Sequence, residues 1–216
     1  MFPTSASVFL ARTSARVLAV LAVSLAALTP AHAEQPVDPN AAPNDFMQVV
    51  ANNMLDAIKA DDAARDGDVA HVEALIHKYA LPYIDMRKTT QLSAGRYWRQ
   101  ATPDQKNRLV DAFTDTLIRT YSGAFSRVGS DSQINILPFR GDPKADDAVV
   151  RSTVSQNNGP SVGVDYRLER TDAGWKIYDL NVEGIWLIQN YRNQFSSEIN
   201  RNGIDGLIKA LEAKNK

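Results

Sequence analysis

Apolar residues recur every three or four positions from Phe46 to Val128 and every second position from Ser132 to Val182, a pattern that predicts helices followed by a sheet. Phe46, Val49, Val50, Leu55 and Ile58 lie at helical spacing, and Asp68 is placed to cap a second helix carrying Val72, Leu75, Ile76 and Tyr79. Pro82 interrupts the pattern, and Asp85 to Trp98 predicts one or two short helices. Thr102-Pro103-Asp104-Gln105 is the clearest helix start: a threonine cap, proline at the first helical position, an early acid, and glutamine three after the cap. The helix that follows carries Leu109, Phe113, Leu117, Tyr121 and Val128 on one face and is expected to stop near Gly129.

Beyond Gly129 four successive strands are predicted, Ser132 to Arg140, Ala148 to Gln156, Ser161 to Arg170 and Trp175 to Val182. The turns between them, rich in Gly, Asn, Asp and Pro, are short enough for neighbouring strands to pair as an antiparallel meander. The third strand alternates most cleanly, with Val162, Val164, Tyr166 and Leu168 on one face and Asp165, Arg167 and Glu169 on the other. Helical spacing returns at Ile188, Tyr191, Phe195 and Ile199, and a last short helix carries Ile204, Leu207, Ile208 and Leu211. The plan is α+β, a four-stranded twisted antiparallel sheet with one apolar face that the helices must cover.

The head of the chain has a different pattern. Arg12 and Arg16 precede a twelve-residue apolar run, Val17 to Leu28, broken only by Ser24 and too short to span a bilayer, and Pro30 precedes the small-x-small site Ala31-His32-Ala33. Residues 1–33 are therefore expected to be a cleaved signal peptide, residues 34–45 a flexible lead, and residues 46–216 a single domain. With no cysteine in the chain the lipoprotein route is closed, so a soluble periplasmic product is expected.

Charge and chemistry exclude more than they assign. Of 24 basic and 25 acidic residues the head takes two arginines, leaving a net charge of −3 and no basic stripe to bind nucleic acid. His71 and His77 are six apart, about 240° around a helix, so they cannot share a metal. Asp61-Asp62 and Asp146-Asp147 fall where loops are expected and read as solvated turns. The letters G-x-S-x-G occur at Gly159 to Gly163, but between two expected strands and not at the strand-to-helix turn of a nucleophile elbow, and no phosphate loop or zinc-protease motif is present, so neither a cofactor nor an enzymatic reaction is expected. The stripe Phe113, Leu117, Tyr121 suits either packed core or a cavity wall, and periodicity does not separate the two.

From Leu81-Pro82-Tyr83 onward the chain resembles the Mla-pathway periplasmic phospholipid-shuttle family, the MlaC-type or toluene-tolerance proteins. The resemblance is carried by Gly95-Arg96-Tyr97-Trp98, Ala101 to Gln105, Val164-Asp165-Tyr166, Gly174-Trp175, Tyr178-Asp179, Glu183-Gly184-Ile185 and Gly203 to Leu207, in that order. It implies helices and sheet enclosing a deep apolar pocket for acyl chains, with bound phospholipid as cargo. The partners it implies are an inner-membrane ABC transporter complex with its MCE component and an outer-membrane lipoprotein-porin complex, and the role is maintenance of outer-membrane lipid asymmetry. On this reading the lipid-binding residues are Phe113, Leu117, Tyr121, Val162, Val164, Tyr166, Ile188 and Tyr191. One departure stands out: Trp186 follows Glu-Gly-hydrophobic where the family often has a small hydroxyl residue, and it either narrows the pocket or faces away from it. A lipid hydrolase and a solid-core docking module are the competing classes.

Overall fold

A computed structural model describes residues 34–125, 128–142, 144–155 and 159–215. The expected signal segment, 1–33, lies outside the described residues. Among the described residues six α-helices and one sheet follow, helices first, then strands, then helix: α1 Pro43–Ala60, α2 Asp62–Arg65, α3 Val69–Tyr79, α4 Met86–Ala94, α5 Pro103–Phe125, then the strands, then α6 Leu187–Lys214.

The local signals act as their chemistry dictates. Asp68 accepts hydrogen bonds from the backbone N–H groups of Ala70 and His71 at the start of α3. Thr102 and Gln105 close a reciprocal capping box, Gln105 N–H donating to Thr102 Oγ1 at 3.2 Å and Thr102 N–H to Gln105 Oε1 at 3.0 Å. The predicted short helices between Asp85 and Trp98 are α4 and a 3₁₀ turn, Gly95–Arg99. Gly203, at φ 72° and ψ 179°, is non-helical and divides α6 into two helical stretches, in keeping with the separate last helix expected.

The sheet has five strands, not four: β1 Ile134–Ile136, β2 Asp147–Val154, β3 Val162–Thr171, β4 Gly174–Val182 and β5 Ile185–Trp186, antiparallel and paired in sequence order. The fifth arises because Glu183 and Gly184 both adopt positive φ, 49° and 89°, and turn Ile185 and Trp186 back onto Val182 and Asn181. Two residues leave no period to read. β1 is shorter than expected because Pro138, which has no N–H to donate, follows it closely.

The segment expected to be a flexible lead is tied down instead, and α1 begins within it. Gln35 exchanges two hydrogen bonds with the side-chain amide of Asn53. Further on, the carbonyls of Pro39 and Ala41 accept from the backbone and indole N–H groups of Trp175. An N-terminal strap thus crosses from α1 to the β3–β4 turn, where Gly174 sits at φ 92° with no room for a Cβ beside Pro39.

Three apolar clusters hold the layers together. α1 packs its Phe46, Met47 and Val50 on the inner sheet face at Ala148, Val150, Leu168, Trp175 and Ile177. α1, α3 and α5 meet around Met54, Ile58, Val72, Ile76 and Ile118. α4, α5 and α6 meet around Trp98, Leu109, Phe113, Tyr191, Phe195 and Ile208.

Candidate functional site

The three clusters do not fill the space between them. An apolar cavity of about 380 Å³ remains, walled by α1, α3, α5, the residues around α4, the inner sheet face and the first residue of α6. Its size falls in the range of small-molecule and cofactor sites. No lysine, arginine or histidine lines it among the described residues, and Asp179 is the one charged residue on its border, its carboxylate turned to Arg167 on the other face of the sheet.

The sheet contributes Val154, Val162, Val164, Tyr166, Leu180 and Val182. Register explains why these six converge. Val154 pairs with Val162, Val164 with Val182, and Tyr166 with Leu180, so on pleated strands their side chains emerge on one face. The Tyr166 hydroxyl lies 3.5 Å from Ser152 Oγ, which itself donates to the Val164 carbonyl. Burial pushes the Tyr166 phenol pKa up, so it stays neutral in this setting. The polar groups facing this wall are therefore hydroxyls with partners in the protein and not free charges.

The opposite wall comes from α1 and α5. Met47, Val50, Met54 and Ile58 face the cavity from α1, and Leu117, Ile118, Tyr121 and Phe125 from α5. The α1 residues carry no motif and were not singled out as site residues. A signal for them did exist: Phe46, Met47, Val50, Met54, Leu55 and Ile58 form an apolar stripe too wide for one contact, consistent with a helix that serves both sheet and cavity.

Of the eight expected site residues, Leu117, Tyr121, Val162, Val164 and Tyr166 line the cavity together. Phe113, Ile188 and Tyr191 do not. Phe113 and Tyr191 are buried in the α4–α5–α6 cluster, each in edge-to-face contact with Phe195. The physical reason is the pitch of the helix. Four residues advance an α-helix by slightly more than a full turn, so between Phe113 and Tyr121 the stripe rotates by about 80°. Its beginning faces α6 and its end faces the sheet. On α6 only Leu187 reaches the cavity, and Ile188 is buried away from it.

Trp186 stands outside the cavity. The Arg167 guanidinium lies 3.7 Å from its ring centroid, on the side of the sheet away from Tyr166. Arg167 also donates to Asp179 Oδ2 at 2.9 Å, while Asp179 Oδ1 accepts from the backbone N–H groups of Leu180 and Ile188, both at 3.0 Å. The Asp179 side chain is fully buried, and desolvation raises its pKa against the opposing pull of these donors.

Elsewhere the chemistry is sparse. No cluster of three potential metal ligands occurs among the described residues. His71 Nδ1 donates to Asp61 Oδ2 at 3.0 Å, a surface contact between the start of α2 and α3. No helix among the described residues is long and apolar enough to cross a membrane.

Comparison with known proteins agrees with this architecture. The family model described as MlaC protein matches residues 48–213. The toluene tolerance protein ttg2D of Pseudomonas putida is 30% identical over 168 residues, 76% of this chain and 75% of that protein. The intermembrane phospholipid transport system binding protein MlaC of Haemophilus influenzae is 21% identical over 174 residues, 79% and 80% of the two chains. Among solved structures, the phospholipid-binding protein of Ralstonia solanacearum in complex with a phospholipid superimposes with a TM-score of 0.75 at 40% identity, covering 82% of this chain and 97% of that one. With the family model spanning most of the chain and the fold shared with a relative of this identity, the chain belongs to the MlaC protein family.

Proposed function

We propose that this protein is a soluble periplasmic phospholipid carrier whose cavity between sheet and helices holds acyl chains. The observation that carries the reading is the cavity itself: apolar on every wall, without a basic side chain, in a fold shared with a protein solved in complex with a phospholipid. The five expected residues that meet there, Leu117, Tyr121, Val162, Val164 and Tyr166, would contact the chains, and Met47, Val50, Met54 and Ile58 would face them from α1.

The energetics explain why such a carrier needs no catalytic group. At about 0.8 kcal/mol for each methylene, about 30 methylenes in two acyl chains come to on the order of 20 kcal/mol of transfer free energy from water. A cavity wall of apolar side chains offsets that cost by replacing water with dispersion contacts. The head group, with no cation in the wall to meet it, would stay in solvent. Handover would then run between an outer-membrane lipoprotein-porin complex and the MCE component of an inner-membrane ABC transporter, in support of outer-membrane lipid asymmetry.

Native mass spectrometry of protein freshly isolated from the periplasm tests the carrier reading. The expected spectrum contains the polypeptide beginning at Glu34 with a phospholipid-sized adduct. A bare polypeptide that takes up no phospholipid from vesicles would leave the docking-module reading in its place.

A further inference from the structure

Asp179 is a buried carboxylate at the border of an apolar cavity, on the sheet face that carries Arg167 and Trp186. A carboxylate with no solvent exposure costs several kcal/mol of desolvation unless its oxygens are satisfied, and here all of the satisfying donors come from elements that border the cavity. Oδ2 takes the Arg167 guanidinium from β3. Oδ1 takes the N–H of Leu180 on β4 and the N–H of Ile188 in the first turn of α6.

The start of α6 depends on this arrangement. Its N-cap residue is Trp186, whose side chain makes no capping hydrogen bond, so the capping acceptor is supplied by a different strand. The negative charge also sits at the positive end of the helix dipole, where it is favourable. Trp186 in turn lies under Arg167, so the residue that begins α6 also covers the cation that neutralises its cap. Between Trp186 and Ile188 stands Leu187, the one α6 side chain in the cavity wall.

The chain around this point reverses within a few residues. β5 has two residues, the turn before it needs two consecutive positive φ values, and Ile185 is 61% exposed. The turn is held by Glu183 N–H on the Gly163 carbonyl at 3.1 Å and Gly184 N–H on Asn181 Oδ1 at 2.8 Å, and beyond it Asp179, paired with Arg167, supplies the side-chain acceptor for the first turn of α6.

We propose that Asp179, Arg167 and Trp186 form an electrostatic clamp that closes the Leu187 side of the cavity and sets how long a bound lipid is retained. This rests on the carrier reading. Asp179 is a positioning residue: its oxygens are taken by protein donors, so it does not meet the cargo but holds the turn that does. Arg167, 37% exposed, is the component that solvent or a docked partner reaches first. Competition for its guanidinium, for instance by a partner carboxylate, would free the first turn of α6.

Hydrogen exchange and lipid release, measured on the same samples, test the clamp. The variants are Asp179→Asn, Arg167→Met and Arg167→Lys, loaded with pyrene-labelled phosphatidylglycerol and diluted into phosphatidylcholine vesicles at neutral pH. Arg167→Met changes a partly exposed side chain and decides the outcome even if Asp179→Asn folds poorly. The expected result is faster amide exchange confined to residues 187–191, with release accelerated on the order of tenfold, the factor that corresponds to about 1.4 kcal/mol. Arg167→Lys should restore part of the retention, because Asp179 keeps a counter-ion while the stacking on Trp186 is lost. Loosened exchange with wild-type release would reduce the trio to a structural brace and overturn the proposal, as would wild-type exchange in both charge-removing variants. A wild-type protein that never takes up the labelled lipid would instead sink the carrier reading itself, while the exchange data would still show whether the trio holds α6.

Discussion

The rings of Phe113 and Tyr191 meet edge to face, 4.8 Å between centroids and 67° between planes, and join α5 to α6. Phe195 stands 4.8 Å from Phe113 on the same seam, so three aromatics close the layer behind the cavity. That layer is the buried packing against which the first half of α5 is held.

Phe113→Ala should therefore act on stability and leave cargo capacity alone. Removing a fully buried phenylalanine from such a contact costs about 3–5 kcal/mol. Chemical denaturation should show that loss, while native mass spectrometry of the folded fraction should show unchanged lipid occupancy. Lower occupancy per folded molecule at unchanged stability would place Phe113 functionally in the cavity after all.

Val164→Trp should do the reverse. Val164 lies on the cavity side of β3, paired with Val182 and flanked by Val162 and Tyr166, so an indole there would project into empty space and not into packed neighbours. Far-ultraviolet circular dichroism should remain native while bound phospholipid falls severalfold. A collapse of folding, with occupancy per folded molecule unchanged, would show that the side chain occupies solid core.

The contrast between these two positions marks how far the sequence could be read. Period and caps were legible: the Thr102–Gln105 box, the Asp68 cap and the alternation of β3 each arise from contacts within a few residues. The rotation of the α5 stripe from α6 towards the sheet was not, because which neighbour a helix face meets is decided by elements far along the chain. The same holds for the strap over Trp175 and for β5. Both draw on main-chain groups at Gln35, Pro39, Ala41 and Ile185-Trp186, which nearly every residue type carries, so no residue type announces them. Trp186 shows the limit most plainly. Its position in the motif is local, but the side of the sheet on which it lies is set by the turn at Glu183 and Gly184.

The His71–Asp61 contact should give stability a defined pH window. The hydrogen bond with Asp61 raises the His71 pKa, and the same bond, aided by the Ala64 N–H, lowers that of Asp61. Asp68, which caps α3, adds a smaller pull on His71 in the same direction. A raised histidine stabilises fully below its unfolded value, about 6.5, and the benefit is lost as pH rises through the folded pKa. A lowered aspartate stabilises above its unfolded value, about 3.9, and the benefit is lost as pH falls through the folded pKa. Comparing thermal melts of the wild type and His71→Gln, the gap should be widest near pH 5, as estimated from those two reference values, and narrow well above neutrality. A gap independent of pH would mean that the imidazole contributes by packing and not by charge.

Lipid binding should respond weakly to salt and to head-group identity. The wall contains no cation among the described residues, and the carboxylate of Asp179 at its border is satisfied by Arg167 and two backbone N–H groups. Screening therefore has little to act on, whereas apolar burial is unaffected or slightly strengthened by salt. Equilibrium partitioning between the protein and vesicles of phosphatidylethanolamine or phosphatidylglycerol, at low and at about 1 M ionic strength, where the screening length is about 3 Å, should give similar occupancies in all four conditions. The net charge of −3 left after the expected signal cleavage opposes adsorption to anionic vesicles, so exchange without a partner complex should be slow with both lipids. Strong preference for phosphatidylglycerol that disappears in salt would show that a cation outside the apolar wall engages the phosphate, and would move the determinant of affinity from acyl-chain burial to the protein surface.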